Sequence, residues 1–193
     1  MIKVGVLDFQ GSVVEHIEML KKIEGIKPIR VKYAKQINEI DGLILPGGES
    51  TTIGKLMKDF DIFLPLKERI TKGMPVWGTC AGMILLAKKI VGQDYAHLEV
   101  MDIEVKRNAY GSQIDSFMIE KTIPQVSSKP ISLVFIRAPY IEKVGYGVKI
   151  LSEHEGKIIA AREKNMLATS FHPELTGDES FHRYFVDMII KRL

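Results

Sequence analysis

The sequence predicts an α/β protein of three layers, in which a mixed, mostly parallel sheet is flanked by helices. Two observations predict this fold. Short apolar runs at residues 2–7, 42–45 and 75–77 have the length and composition of buried strands. Segments with helical spacing alternate with these runs in the first half of the chain, which is the order of βαβ units with parallel strands. The second half is richer in short strand-like segments, so we expect some antiparallel strands there.

The predicted elements follow one another with turn signals between them. After the strand at 2–7, Ser12 and Glu15 form a capping-box pattern before a helix that Gly25 is expected to end. We then expect strands at 29–31 and 42–45, a helix from about Thr51, a strand at 75–77 and a helix at 83–89. Beyond Gly92 we expect strands near 98–105, 131–135, 148–151, 158–162 and 166–171, and a closing helix over 180–191.

Composition and charge favour a globular protein with no nucleic-acid or membrane partner. The length of 193 residues fits one domain, and no apolar run approaches the ~20 residues of a membrane-spanning helix. The net charge of +3 comes from scattered Lys and Arg rather than from a basic block. The N-terminus lacks a signal-peptide pattern, and a single cysteine cannot form an internal disulfide. We therefore expect one domain, residues 1–193, in the cytoplasm.

The only cysteine, Cys80, lies between Gly78 and Gly82 at a predicted turn from a strand into a helix. Glycines two positions before and after a central residue are the pattern of a nucleophile elbow, a strained turn that exposes the central side chain. Open α/β folds bind ligands at this edge of the sheet, and the N-terminus of a following helix favours the thiolate. We therefore predict that Cys80 is a nucleophile. The alternative is a buried structural cysteine.

A thiol nucleophile needs a base, and His172 is the best placed of the five histidines. Glu174 follows it by two positions at the end of a predicted strand, where residues two apart project to the same side. A carboxylate on one imidazole nitrogen fixes the tautomer that leaves the other nitrogen free to take the thiol proton. Cys80, His172 and Glu174 are thus a candidate triad. A metal site built from these residues and His182 lacks the usual ligand spacing, so none is predicted, and His16 and His182 are expected to be structural.

Attack on a carbonyl creates an oxyanion, which preorganised backbone N–H groups stabilise. Ala81 directly follows the proposed nucleophile, so its N–H is one predicted donor. Gly48 is the second predicted donor, because its glycine-rich loop follows a buried strand and lets a backbone N–H approach a ligand closely. Together Gly48 and Ala81 form the predicted oxyanion hole.

These motifs resemble those of triad-type, class I glutamine amidotransferases, and more narrowly those of glutaminase subunits of pyridoxal 5'-phosphate synthases. Besides the cysteine elbow and residues 172–174, the similarity involves residues 7–11, 15–16, 46–51, 107–111, 115–117 and 135–139. The resemblance implies a flavodoxin-like fold and hydrolysis of L-glutamine to L-glutamate and ammonia through a cysteine thioester. It further implies no bound cofactor, and a synthase subunit in a hetero-oligomeric complex that receives the ammonia for pyridoxal phosphate (vitamin B6) biosynthesis.

The resemblance also assigns substrate contacts. The residues that would contact glutamine are Gly48, Glu49, Ser50, Arg107, Ile136 and Arg137. An acid and a guanidinium can complement the ammonium and carboxylate of free glutamine. The sequence departs from the family pattern at Ser112, where arginine is common, and at Met118, where an acid is common. Two alternatives stay open: the glutaminase subunit of another synthase, such as the imidazole glycerol phosphate one, and a noncatalytic flavodoxin-like binding protein.

Overall fold

The computed structural model describes residues 1–107 and 116–193. Its strands are β1 Ile2–Leu7, β2 Ile26–Val31, β3 Gly42–Leu45, β4 Val76–Thr79, β5 Ala87–Ile90, β6 Met101–Lys106, β7 Ser116–Ile123, β8 Ser127–Ile136, β9 Tyr140–Val144, β10 Lys149–His154, β11 Lys157–Glu163 and β12 Met166–Thr169. Its α-helices are α1 Val13–Lys21, α2 Ser50–Asp59, α3 Phe63–Thr71, α4 Ala81–Leu86 and α5 Ser180–Ile190. Short 3-10 helices lie at Ala34–Glu39 and Pro173–Leu175.

Parallel strands form one half of the main sheet. Neighbours in the order β2, β1, β3, β4, β12 all pair in parallel, which is the strand order of flavodoxin-like folds. Beyond β12 the sheet continues through β11, β9, β6 and β5 with mixed pairing, β10 pairs with β11, and β7 and β8 form a separate antiparallel hairpin. The predicted α/β fold, with a mostly parallel sheet between helices, is confirmed.

Two apolar layers cover the two faces of the parallel strands. Alternate side chains of a strand point to opposite faces, so Ile44 and Trp77 pack with α1 and α5, whereas Leu45 and Val76 pack with α2, α3 and α4. All four side chains are fully buried, and each such burial stabilises the fold by roughly 1.5–3 kcal/mol. In the described parts of the chain, no helix has both the length and the apolar character needed to cross a membrane.

Some predicted elements differ from the structure. The helix predicted over 83–89 ends at Leu86, and the chain enters β5, which pairs in parallel with β6. Helix α3 and strands β7 and β9 have no counterpart among the predicted elements. The capping box at Ser12 and Glu15 is also wrong: the Ser12 side chain makes no cap hydrogen bond, because its hydroxyl donates to the carboxylate of Glu174.

Candidate active site

Loops that follow four parallel strands meet at the carboxyl edge of the sheet and line one cleft. The loops after β1, β3, β4 and β12 all contribute, and the cleft has a volume of about 570 Å³. This volume is within the ~300–1,000 Å³ range of small-molecule sites. The predicted site residues in its wall are Gly48, Glu49, Ser50, Cys80, Ala81, Arg107, Ile136, Arg137 and His172. Glu174 is buried behind His172.

Cys80 lies in a strained turn between β4 and α4. Its backbone has φ 49° and ψ −106°, a conformation that costs a non-glycine residue on the order of 1–3 kcal/mol. A Cβ atom on Gly78 would lie 2.3 Å from the carbonyl oxygen of Gly82, and one on Gly82 would lie 2.0 Å from that of Leu45. Both flanking positions therefore require glycine, because backbone atoms occupy the space of a side chain.

The side chains of His172 and Glu174 contact each other as predicted, but the two residues do not lie on a strand. Strand β12 ends at Thr169, and the 3-10 helix Pro173–Leu175 turns the chain so that His172 Nδ1 lies 2.7 Å from Glu174 Oε1. This bond leaves Nε2 for the thiol. Burial lowers the pKa of His172, but Cys80 and Glu174 oppose burial and raise that pKa to about 10. The site thus favours a protonated imidazole at His172.

The carboxylate of Glu174 is buried and held from several sides. Oε1 accepts from Ser12 Oγ at 2.5 Å as well as from His172, and Oε2 lies 3.4 Å from His16 Nε2. Burial raises the pKa of Glu174, but His16, His172 and Ser12 outweigh burial and lower it to about 2. Glu174 is therefore ionised at neutral pH and can orient a protonated imidazole.

Ser12 and His16 are site neighbours that the sequence patterns do not predict. A signal for His16 was present, because it lies in the apolar stripe of α1 beside Val13 and Ile17. A buried imidazole among apolar side chains needs a polar partner. His182 lies in the same way within the apolar stripe of α5.

The two predicted oxyanion donors occupy different settings. Ala81 is the first residue of α4, so its N–H has no acceptor within the helix, although a helix of six residues contributes only a short dipole. The carbonyl of Gly47 accepts a long hydrogen bond of 3.4 Å from the Ser12 N–H. The N–H and C=O of a trans peptide point in opposite directions, so the Gly48 N–H points away from Ser12.

Glu49 and Arg107, predicted to contact the charged ends of glutamine, form an ion pair with each other at 3.1 Å. The Glu49 carboxylate also caps α2 by accepting from the N–H groups of Thr51 at 3.0 Å and Thr52 at 2.7 Å. Burial raises the pKa of Glu49, but the hydrogen bonds from Thr51 and Thr52 together outweigh burial and lower it to about 2. The cleft therefore contains a fixed anion and a fixed cation.

The other predicted contacts, Ser50, Ile136 and Arg137, lie in the wall of the same cleft. The Ser50 hydroxyl is buried and has no hydrogen-bond partner among the described residues, and the Ile136 carbonyl oxygen lies 4.0 Å from Cys80 Sγ. Arg137 adopts a positive φ of 44°. Met118 is exposed on β7, whereas Ser112 lies outside the described residues. Within residues 1–107 and 116–193, no cluster of three His, Cys, Asp or Glu side chains could hold a metal ion.

The fold and the cleft together define a class of protein. A cysteine in a strained elbow, an imidazole in reach of its sulfur and a carboxylate behind the imidazole are the parts of a thiol-dependent hydrolase. Here they lie at the carboxyl edge of a parallel α/β sheet, where such folds bind their ligands. The molecule is thus of the α/β class with a cysteine–histidine–glutamate constellation.

Comparison with known proteins identifies the family. The SNO glutamine amidotransferase family model matches residues 6–191, so the chain belongs to this family. The pyridoxal 5'-phosphate synthase subunit PdxT of Clostridium botulinum is 62% identical over 99% of this chain and 99% of its own. The subunit of the same name from Ruminiclostridium cellulolyticum is 57% identical over 98% of this chain and its full length. A crystal structure of a glutamine amidotransferase, 41% identical, superposes with a TM-score of 0.90 over 96% of this chain and 98% of that chain.

Proposed function

We propose that this chain is the glutaminase subunit of a pyridoxal 5'-phosphate synthase. It hydrolyses L-glutamine to L-glutamate and ammonia, and it delivers the ammonia to a synthase subunit in a hetero-oligomeric complex. The observation that carries this proposal is the 62% identity, over nearly the full length of both chains, to a protein named as a subunit of that synthase. The free thiol of Cys80 suits the reducing cytoplasm as its compartment.

The proposed reaction uses the residues at the carboxyl edge. The Cys80 thiolate attacks the side-chain amide carbon of glutamine, while the N–H groups of Gly48 and Ala81 stabilise the oxyanion. His172 gives its proton to the leaving nitrogen, the C–N bond breaks, and ammonia departs from a γ-glutamyl thioester. Water, deprotonated by His172, then attacks the thioester, the C–S bond breaks, and glutamate is released while the Cys80 thiolate and the protonated His172 are restored. Glu174 keeps the imidazole in the required tautomer and orientation throughout.

Substrate recognition in this proposal uses the charged pair in the cleft. The ammonium of glutamine would bind Glu49, whose low pKa keeps it ionised, and the carboxylate would bind Arg107. In the absence of substrate, Glu49 and Arg107 form an ion pair with each other. When glutamine binds, each of them therefore exchanges that partner for a charged group of the substrate. The buried hydroxyl of Ser50 can satisfy its hydrogen-bonding capacity with the substrate.

A glutaminase assay with candidate synthase subunits tests the proposal. Glutamate release should rise when the synthase subunit of a pyridoxal 5'-phosphate synthase is added, and not when the imidazole glycerol phosphate synthase subunit is added. Stimulation by the second subunit instead would assign the chain to a different synthase. Absence of glutamate release with every synthase subunit would favour the noncatalytic binding protein.

A further inference from the structure

A line of buried polar side chains continues from Glu174 into the protein. His16 on α1 places Nε2 at 3.4 Å from Glu174 Oε2, and its Nδ1 lies 2.9 Å from Nε2 of His182 on α5. Both imidazoles are fully buried. Each packs edge-on against Trp77, with ring centroids 5.7 Å and 5.0 Å away, so the two ring planes are fixed. The mechanism above uses neither histidine.

The contacts determine where the protons of this line lie. His16 Nε2 lies 3.4 Å from Glu174 Oε2, which as an ionised carboxylate oxygen can only accept, so this nitrogen carries a proton; Thr79 Oγ1 lies 3.3 Å from the same nitrogen. In a neutral His16 the Nδ1 atom is then an acceptor, and His182 Nε2 donates to it. Burial lowers the pKa of both histidines; Glu174 and Glu15 oppose this effect at His16, and Lys22 adds to it at His182. Both N–H bonds therefore point toward the carboxylate.

The two oxygens of Glu174 are held unequally. Oε1 accepts from Ser12 and from His172, whereas Oε2 makes no hydrogen bond in the described parts of the chain and has His16 Nε2 as an ion-pair contact at 3.4 Å. At the other oxygen, the His16 contact at 3.4 Å adds to the two bonds of Oε1 in opposing rotation of the carboxylate about its last side-chain bond. Rotation would move Oε1 away from the imidazole that it orients.

We infer that His16, supported by His182, is a positioning residue that holds Glu174 Oε2 so that Oε1 stays aimed at His172. The inference rests on the proposed function, because it assigns His16 to the same thiol chemistry. Misplacement of a catalytic group by about 1 Å can cost up to ~10²-fold in rate. Loss of the His16 N–H should therefore slow the chemistry and leave glutamine binding unchanged.

The experiment compares three substitutions at one position. His16→Leu removes the N–H, His16→Gln places an amide nitrogen near the position of Nε2, and His16→Asn places one near Nδ1, too short to reach Glu174. His154→Leu is the control, because the half-buried His154 contacts Phe117, Phe135 and the Glu155 carboxylate rather than Glu174. Cys80 is the only cysteine, so alkylation by iodoacetamide at neutral pH reports its reactivity in the isolated chain. Glutamine turnover with the synthase subunit is the second readout.

We expect alkylation and kcat to fall about tenfold or more in the Leu and Asn variants, with KM unchanged. The Gln variant should recover most of both rates, and the His154 variant should match the wild type. A folded Leu variant with wild-type alkylation would overturn the inference. If the Leu variant does not fold, equal reactivity of the Gln and Asn variants would overturn it. If the wild type hydrolyses no glutamine with any synthase, the proposed function fails, and the alkylation series still decides the role of His16.

Discussion

Glu174 shares its buried surroundings with three side chains that favour its ionised form, and this has a measurable effect on stability. Its pKa is about 2 in the folded protein, against an ordinary value of 4.5. A depressed pKa stabilises the fold fully above the ordinary value, and the contribution is lost as pH falls through the folded value. The window for this loss is therefore between about pH 4.5 and pH 2.

We expect Glu174→Gln to reduce the steepness with which stability falls in that window. The substitution removes the titrating group, so its free energy of unfolding should decline less than that of the wild type. Urea unfolding at several pH values between 4.5 and 2 measures this difference. Glu49→Gln is a comparison rather than a control: the pKa of Glu49 is also lowered to about 2, by the cap of α2, so this variant should reduce the steepness in the same window. If the free energy of unfolding fell equally steeply with pH in the wild type and in Glu174→Gln, the conclusion that Glu174 is buried and ionised would be contradicted.

His172→Asn separates binding from chemistry. The variant keeps a polar side chain but loses the nitrogen that faces the thiol, so we expect glutamine and synthase to bind while turnover falls ~10²-fold or more. Calorimetric titration and steady-state kinetics check the two halves of this expectation. Loss of a bound metal together with unfolding would indicate that His172 is a metal ligand instead.

The sequence was informative about residues whose signals are local. The elbow glycines lie two positions either side of Cys80, and His172 lies two positions from Glu174, so the sequence predicts these three as a candidate triad and the structure places all three at one edge of the sheet. Ser12 bonds a carboxylate 162 positions away, and its local S-x-x-E pattern predicted a helix cap instead. The hydrogen bond from the Ser12 hydroxyl to a charged carboxylate is stronger than a helix cap, in which the hydroxyl accepts from a backbone N–H. The long-range contact with Glu174 therefore prevails. No sequence pattern within a few residues of His16 predicts its contact with Glu174 either.

At the scale of elements, the turn into α4 depends on close approach of backbones. Gly82→Ala would place a Cβ atom 2.0 Å from the Leu45 carbonyl oxygen, and β3 must shift to admit it. We expect a loss of roughly 1–3 kcal/mol of stability. Gly177→Ala is the matched control, with no atom within 4 Å of its added Cβ and an expected change within about 0.5 kcal/mol. Equal midpoints of urea unfolding for the two variants would contradict the packing described for the elbow.

The sequence predicts the type of an element well where its apolar run is continuous. It does so less well where pairing with a distant strand determines the conformation. Strands β1 and β3 are fully or largely buried and were predicted with their observed bounds. The end of α4 was wrong because Ala87 and Ile90 leave the helix to pair with β6, a contact that no local pattern specifies. In β7 exposed and half-buried residues alternate, and almost none is fully buried. Its sequence therefore lacks the apolar run that predicts a buried strand.

At the scale of the whole molecule, a glutaminase without its synthase would release ammonia into solvent, so coupling between the subunits is useful. A glycine pair can adopt two peptide orientations at little steric cost, and only one directs the Gly48 N–H at the oxyanion. Among the described residues, the Gly47–Gly48 peptide in its present orientation accepts one long hydrogen bond, 3.4 Å from the Ser12 N–H, so reversing the peptide breaks one weak hydrogen bond there. The loop after β3 is therefore the part of the cleft that a partner could switch.

We expect low activity of the isolated chain and a rise of at least about tenfold when the synthase binds, mainly in kcat. Loss of one oxyanion donor costs ~10²–10³ in rate, and a contact made in the transition state affects turnover rather than substrate affinity. Steady-state kinetics with and without the synthase measure the change. Equal turnover numbers would show that the site is complete in the free subunit, and the switch at Gly48 would be rejected.

The covalent step at Cys80 is the central claim, and a diazoketone analogue of glutamine tests it most directly. The analogue is incubated with the complex, glutamine turnover is followed, and the labelled peptide is identified by mass spectrometry. We predict one label, on Cys80, with loss of turnover in proportion to labelling, no labelling when excess glutamine is present, and neither labelling nor turnover in folded Cys80→Ala. Full turnover by the Cys80→Ala complex, or by a complex fully labelled at Cys80, would contradict the account.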